Sequence, residues 1–300
     1  MLIFIAAITS TLKLSIFNPK VLNRAVLSDE YVNGVYDTIL DHFKTLSIPN
    51  GIEEDAYRKI ITKDIVNADV KAYFNSKLFN RTEYSFSTST LNIEKNLTNN
   101  ILQQFKNEGV IITDETEQDI YTFVKTSINQ YTSSIKIDYL DYYNQIIDTY
   151  KLALVIILAV ASVISAVLIV FLFQLNKYPH KTFRYMFFSA SSATLMTAVL
   201  AIYITASKIF ENISITPKYF YNAVVQVLNS YLLLLWLSVI LLALLSALMI
   251  FLVKISKKRQ KKKLEAYLSS PQHFRKHQNR RSSSVNDALD SETPHEISNS

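Results

Sequence analysis

The sequence predicts an all-α, multi-pass membrane protein with a helical extracytoplasmic domain inserted between the first and second of four transmembrane helices. Three observations carry this fold class. Three runs of about twenty residues contain no charge, a length that matches the ~30 Å hydrocarbon core of a bilayer. Ahead of them, the stretch from Asn18 to Tyr150 repeats apolar residues at the i, i+3, i+4 spacing of amphipathic helices. Charge is also segregated. Asn18 to Tyr150 holds 13 Lys and Arg against 19 Asp and Glu, a balance of −6, so in a chain of net charge +6 the remainder carries +12. Basic segments beside spans resist translocation, which makes this asymmetry a statement about topology.

Composition removes several function classes. With no Cys, the chain has no disulfides, thiol catalysis or Cys-based metal sites. Three Gly almost exclude a phosphate-cradling loop, and no GxSxG, HExxH, P-loop or dinucleotide fingerprint occurs. No cofactor is implied.

Residues 1–17 form the first element. Leu2 to Phe17 is apolar and short, at about 24 Å, with Lys13 inside it. A signal peptide would show a basic start and an A-x-A-like cleavage site. Neither is visible, so an uncleaved first helix with Lys13 reaching toward the headgroups is the preferred reading over a signal-like one.

Residues 18–150 are of domain size. Ser28 is placed as an N-cap ahead of Asp29 and Glu30, and Val32, Val35, Tyr36, Ile39, Leu40, Phe43 and Leu46 follow as one stripe. Ile48-Pro49-Asn50-Gly51 stops that helix. A second helix is expected through Ile60 to Phe79, and a third around Leu91 to Lys106 with Gly109 as its C′ residue. A fourth starts at Thr113. Thr82 to Thr90, TEYSFSTST, has no helical period and reads as a loop or short β excursion. From Ile137 the apolar positions lead without Pro or Gly into the first certain span, so one helix is expected to join domain and membrane. That join is a rigid joint able to transmit motion, or the plain way of connecting a helical domain to a span; the plain reading is preferred.

Residues 151–255 hold three spans, Leu152–Leu175, Tyr185–Thr205 and Tyr231–Val253, with an outer loop over 206–230. The spans contain no Asp, Glu, Lys, Arg or His, groups that proton-coupled carriers and intramembrane hydrolases require. Small residues four apart, Ser162 with Ala166, Ser189 with Ala193 and Ala243 with Ala247, read as faces on which helices pack. The outer loop is itself apolar and either lies along the outer leaflet or caps the domain.

Residues 256–300 are expected to form a basic and then disordered tail. Lys254, Lys257, Lys258, Arg259, Lys261, Lys262 and Lys263 follow the last span, and Lys177, Lys181 and Arg184 fill the turn after Leu152–Leu175. Both clusters are expected to be cytoplasmic, anchoring topology against a bilayer with an anionic inner leaflet. Both termini then lie inside the cell and residues 18–150 outside. Arg280-Arg281-Ser282 resembles a basophilic kinase site. The tail lacks the interleaved aromatics and the fold of a nucleic-acid binder, so no nucleic-acid partner is expected.

Other candidate sites are weak. Asp114, Glu115, Glu117 and Asp119 lack the order of a calcium loop and read as acids at a helix N-terminus. His42 has no second His nearby. Asn80-Arg81-Thr82, Asn96-Leu97-Thr98 and Asn212-Ile213-Ser214 are formal glycosylation sequons, although the Ile, Lys and Asn-rich composition is that of an AT-rich bacterium.

The run Ile16 to Phe74, with IFNPKVLNRAVLSDEYVNGVYDTILDHF and then IITKDIVNADVKAYF, resembles the outer domain of small, uncharacterised four-span membrane proteins of low-GC Gram-positive bacteria. The resemblance implies location and fold and brings no catalytic residues. The order of one span, a large outer domain and three spans also resembles the permease subunits of the cell-division and macrolide-efflux ABC systems. The functional expectation is a non-enzymatic integral membrane protein of the cell envelope that senses or scaffolds through its outer domain, with a protein partner in the envelope. The alternative is a permease-like subunit driven by a separate ATPase that docks on the Asn176 to Arg184 turn. An enzyme acting on lipid or cell wall would need two carboxylates that converge in the outer domain.

Overall fold

The computed structural model describes residues 1–176, 178–210 and 213–268. Among these every regular element is helical: α1 (Leu2–Leu14), α2 (Pro19–Val26), α3 (Asp29–Ser47), α4 (Glu54–Arg58), α5 (Lys63–Asn75), α6 (Ser87–Asn107), α7 (Asp114–Ile135), α8 (Leu140–Leu175), α9 (Pro179–Ser207) and α10 (Lys218–Leu268). Lys177, Asn212 and the tail from Ser269 to Ser300, including the Arg280-Arg281-Ser282 run, lie outside the described residues.

The caps explain most of the boundaries. Ser28, Thr62 and Thr113 each accept a hydrogen bond from the backbone N–H three residues on, and these bonds open α3, α5 and α7. Asn18 opens α2 by accepting from the Lys20 N–H, two residues on, with Pro19 in the first helical position where its missing N–H costs nothing. After α6, Gly109 takes φ +73°, the left-handed C′ conformation that ends a helix without a Cβ penalty.

Four segments differ from the sequence reading. The helix expected over Ile60–Phe79 starts later, where Thr62 supplies its cap, and gives way to a π turn at Ser76–Asn80. TEYSFSTST is without regular structure only to Phe86, because the Ser89 and Thr90 hydroxyls both donate to the Phe86 carbonyl and start α6 at Ser87. Residues 206–230 are not one loop: α9 runs to Ser207 and α10 begins at Lys218. At the other end α10 carries the basic cluster onward as helix to Leu268.

The chain divides into two compact units. The first comprises Met1–Ala166 with Ser192–Leu241, the second Val167–Ser191 with Leu242–Ser300. In the first unit α2 to α7 enclose one apolar core in which Val35, Ile39, Phe43, Val66, Val70 and Phe74 are fully buried. Each such side chain contributes ~1.5–3 kcal/mol relative to exposure. Leu140 of α8 and Ala223 and Val227 of α10 are buried in the same core, with Tyr143, Tyr219 and Phe220 packed against it. The apolar start of α10 therefore covers the helical domain.

A smaller cluster in the first unit joins Ala201, Tyr231 and Leu235 to Leu12 and Ile16 at the end of α1. Here α1 buries Thr9, Thr11 and Ser15. The Thr11 and Ser15 hydroxyls are satisfied by donating to the carbonyls of Ile8 and Thr11, at 2.9 and 2.7 Å. In the second unit Thr182 donates to the Leu172 carbonyl at 3.1 Å and Phe173 meets Phe183 edge to face, tying the end of α8 to the start of α9.

Among the described residues three helical stretches are long and apolar enough to cross a membrane: Asp114–Leu175, which contains α7 and α8, Pro179–Ser207 and Lys218–Lys262. The pair α1 and α2, bent by 43°, passes the same test if taken as one span. On α8 large apolar side chains are exposed all round, among them Val163 at 63% and Val167 at 60%. Only a solvent as apolar as lipid tolerates such a surface on a helix of this length.

Candidate functional site

The site-like feature of the helical domain is a groove between α5 and α6, and its origin is a carboxylate on an apolar stripe. Asp69 sits between Val66, Val70 and Tyr73 and is 6% exposed. A carboxylate there requires partners. Tyr131 of α7 donates to its Oδ2 at 2.6 Å and Tyr84, ahead of α6, donates to its Oδ1 at 3.2 Å. Burial raises the Tyr84 pKa to about 12, and the Asp69 charge adds to the shift. The tyrosine is held neutral, as a donor.

Above this cluster the groove has a volume of about 950 Å³ and is bounded by Thr62, Tyr84, Thr88, Asn92, Asn96 and Asn99. Of its sixteen lining residues only Lys59 and Asp69 are ionisable as acid or base at neutral pH, and Lys59 is already 2.8 Å from Asp55. Asn100 donates to the Ala56 carbonyl. The side chains of Asn92, Asn96 and Asn99 are exposed and make no hydrogen bond to another described residue, leaving their carboxamides open to the groove.

A second polar cluster holds the domain to α8. Lys77, in the π turn, has a side chain 10% exposed and reaches Glu83 at 2.6 Å and Asp141 of α8 at 3.2 Å. Its bond to Glu83 first, and then Asp141, raises its pKa against the opposing effect of burial. Arg81, at φ +58°, pairs with Asp148 at 3.2 Å, and Asn144 donates to the Lys77 carbonyl. About two turns of α8, from Asp141 to Asp148, are thereby clasped to one irregular turn of the domain.

The residues singled out in the sequence fall elsewhere. Lys181 and Arg184 are exposed and lie over the Tyr178 and Phe188 rings, at 6.0 and 5.6 Å. Lys254, Lys257, Lys258, Arg259, Lys261 and Lys262 are exposed along α10, Lys261 being 4.0 Å from Glu265, and Lys263 lies on the same helix. Of the small-residue pairs only Ala193 is buried; Ser162, Ala166, Ser189, Ala243 and Ala247 are exposed within the chain. Next to these pairs Ala161 and Ala190 are buried, and farther along α9 so is Ala201. Hydroxyls in these helices turn back on their own backbone, Ser162 onto Leu158 and Thr197 onto Ala193. His42 is half-buried and its Nδ1 accepts from the Gln130 carboxamide. Among the described residues no group of three or more His, Asp or Glu is placed to hold a metal ion.

Asp69 and Lys77 were not singled out by the sequence reading, yet a signal existed. Asp69 falls on the apolar stripe of α5 with Val66, Val70 and Tyr73, and Lys77 in the turn that continues it toward Leu78, where a charge must be paired or aimed at something. Comparison of the chain with family models, curated proteins and solved structures gives no match, so the functional reading rests on this geometry.

Proposed function

We propose that the chain is a non-enzymatic integral membrane protein of the cell envelope that senses or scaffolds through its helical domain. In this reading the protein is multi-pass, with four spans, both termini cytoplasmic and residues 18–150 outside. The observation that carries it is the shared core: α8 and α10, which continue as apolar helices, are first walls of the domain, through Leu140, Ala223 and Val227. A change in the domain's packing is then a change in the position of those helices, since packed cores resist continuous deformation. The burial of Leu12 and Ile16 against Ala201, Tyr231 and Leu235 supports α1 as a retained first span. The basic runs beside the spans support the orientation.

The experiment is purification of the C-terminally tagged protein from native membranes after mild crosslinking, with its companions identified by mass spectrometry. Cell-wall enzymes or division proteins at constant ratio are the expected result. A stoichiometric ATPase would replace this reading with the permease-like one, in which charge reversal at Lys177 and Lys181 abolishes assembly.

A further inference from the structure

We propose that the groove between α5 and α6 binds a neutral, polyhydroxylated chain of the oligosaccharide class. The assignment deepens the sensing reading, on which it rests for the groove being the domain's working face, and it follows from the chemistry of the lining. Asn92, Asn96 and Asn99 stand on successive turns of α6, about 6 and 4.5 Å apart along the axis. Each carboxamide offers donors and an acceptor, the combination that a sugar hydroxyl, itself donor and acceptor, satisfies. Thr62, Ser85, Thr88 and Ser89 extend the same chemistry across the groove.

Two further groups make the surface more than a polar helix face. Tyr84 is fixed by an edge-to-face contact with Phe86 at 4.7 Å and by its bond to Asp69. Its ring is a preorganised apolar plate for the C–H face of a pyranose. Asp69, nine-tenths buried, uses one bond on each oxygen for the tyrosines, and a carboxylate has about four acceptor sites. Asp69 is itself among the groove's lining residues, so its remaining acceptor capacity is what vicinal hydroxyls would use. A volume of 950 Å³ suits a short oligomer.

The same lining argues against other occupants. A polyanion needs a cluster of Arg or Lys, and the groove has Lys59 alone, already paired with Asp55. An extended peptide is best held by the open edge of a sheet, and no strand occurs among the described residues.

The test is isothermal titration of the full chain, in nanodiscs free of glycolipid, with chitotetraose. Saturable binding with a Kd below ~1 mM is expected, weakened at least tenfold in Asn92→Ala/Asn96→Ala/Asn99→Ala, whose exposed positions leave the melting temperature unchanged. Asp69→Asn is expected to weaken it as well. Absence of saturable heat, binding indifferent to the triple substitution, or equal affinity for a neutral Gly-Ser heptapeptide would overturn the proposal. Loss of glycan binding while envelope proteins still co-purify removes this assignment alone, whereas glycan binding without such partners removes the scaffold.

Discussion

Gly34 lies on α3 where the start of α10 crosses it, and a Cβ built there would meet the Tyr219 Cβ at 2.4 Å. Alanine would favour the helix by about 1 kcal/mol, but overlap against a rigid neighbour costs ~1–3 kcal/mol. Gly34→Ala is therefore expected to lower the melting temperature, measured by circular dichroism in detergent, despite its better helix propensity. At Lys77 the asymmetry runs between partners. Its ammonium is buried while Glu83 and Asp141 are 88% and 69% exposed, so Lys77→Met leaves two carboxylates that water solvates. Glu83→Gln/Asp141→Asn instead strands a buried cation, at a cost of about 1–3 kcal/mol. Denaturant unfolding should find the double variant less stable than Lys77→Met. Tyr84 and Lys77 both have pKa values raised in the folded chain. A group of this kind stabilises fully below its unfolded pKa and loses that contribution as pH rises through the folded one. Stability should fall from about pH 10 to 12, and Tyr84→Phe should flatten part of that fall.

At the scale of elements, the helices that cap themselves were legible and those shaped by their neighbours were not. Ser28 and Thr113 announce α3 and α7 because their caps are local, written within four residues. The π turn at Ser76–Asn80 was not legible, since the apolar stripe runs through it and the break follows from Ser76 bonding to Thr82 and Lys77 reaching α8. For the same reason the candidate groove was invisible: its parts come from α5, α6 and the turn before α6, and Asp69 looks like an error of pattern until Tyr131, 62 residues away, is placed beside it. The segment over 206–230 read as an apolar loop because its role depends on the domain it covers. Ala223→Arg puts a charge into that contact, where Ala223 is 2% exposed. Limited trypsinolysis should then cut the 208–217 connection faster than in the parent chain.

For the whole molecule the other predictions hang on the topology we propose, in which residues 18–150 are extracytoplasmic and the basic end of α10 is cytoplasmic. The positive-inside rule supports it from the sequence, and in that proposed topology the shared core would join what the domain meets outside to helices that reach inside. The absence of Cys from the chain makes a direct measurement simple. Lys95→Cys on α6 and Lys258→Cys on α10, both exposed positions, would be labelled in separate strains with a membrane-impermeant maleimide. The account predicts that in intact cells Lys95→Cys reacts and Lys258→Cys reacts only after permeabilisation; protection of Lys95→Cys together with labelling of Lys258→Cys would contradict it.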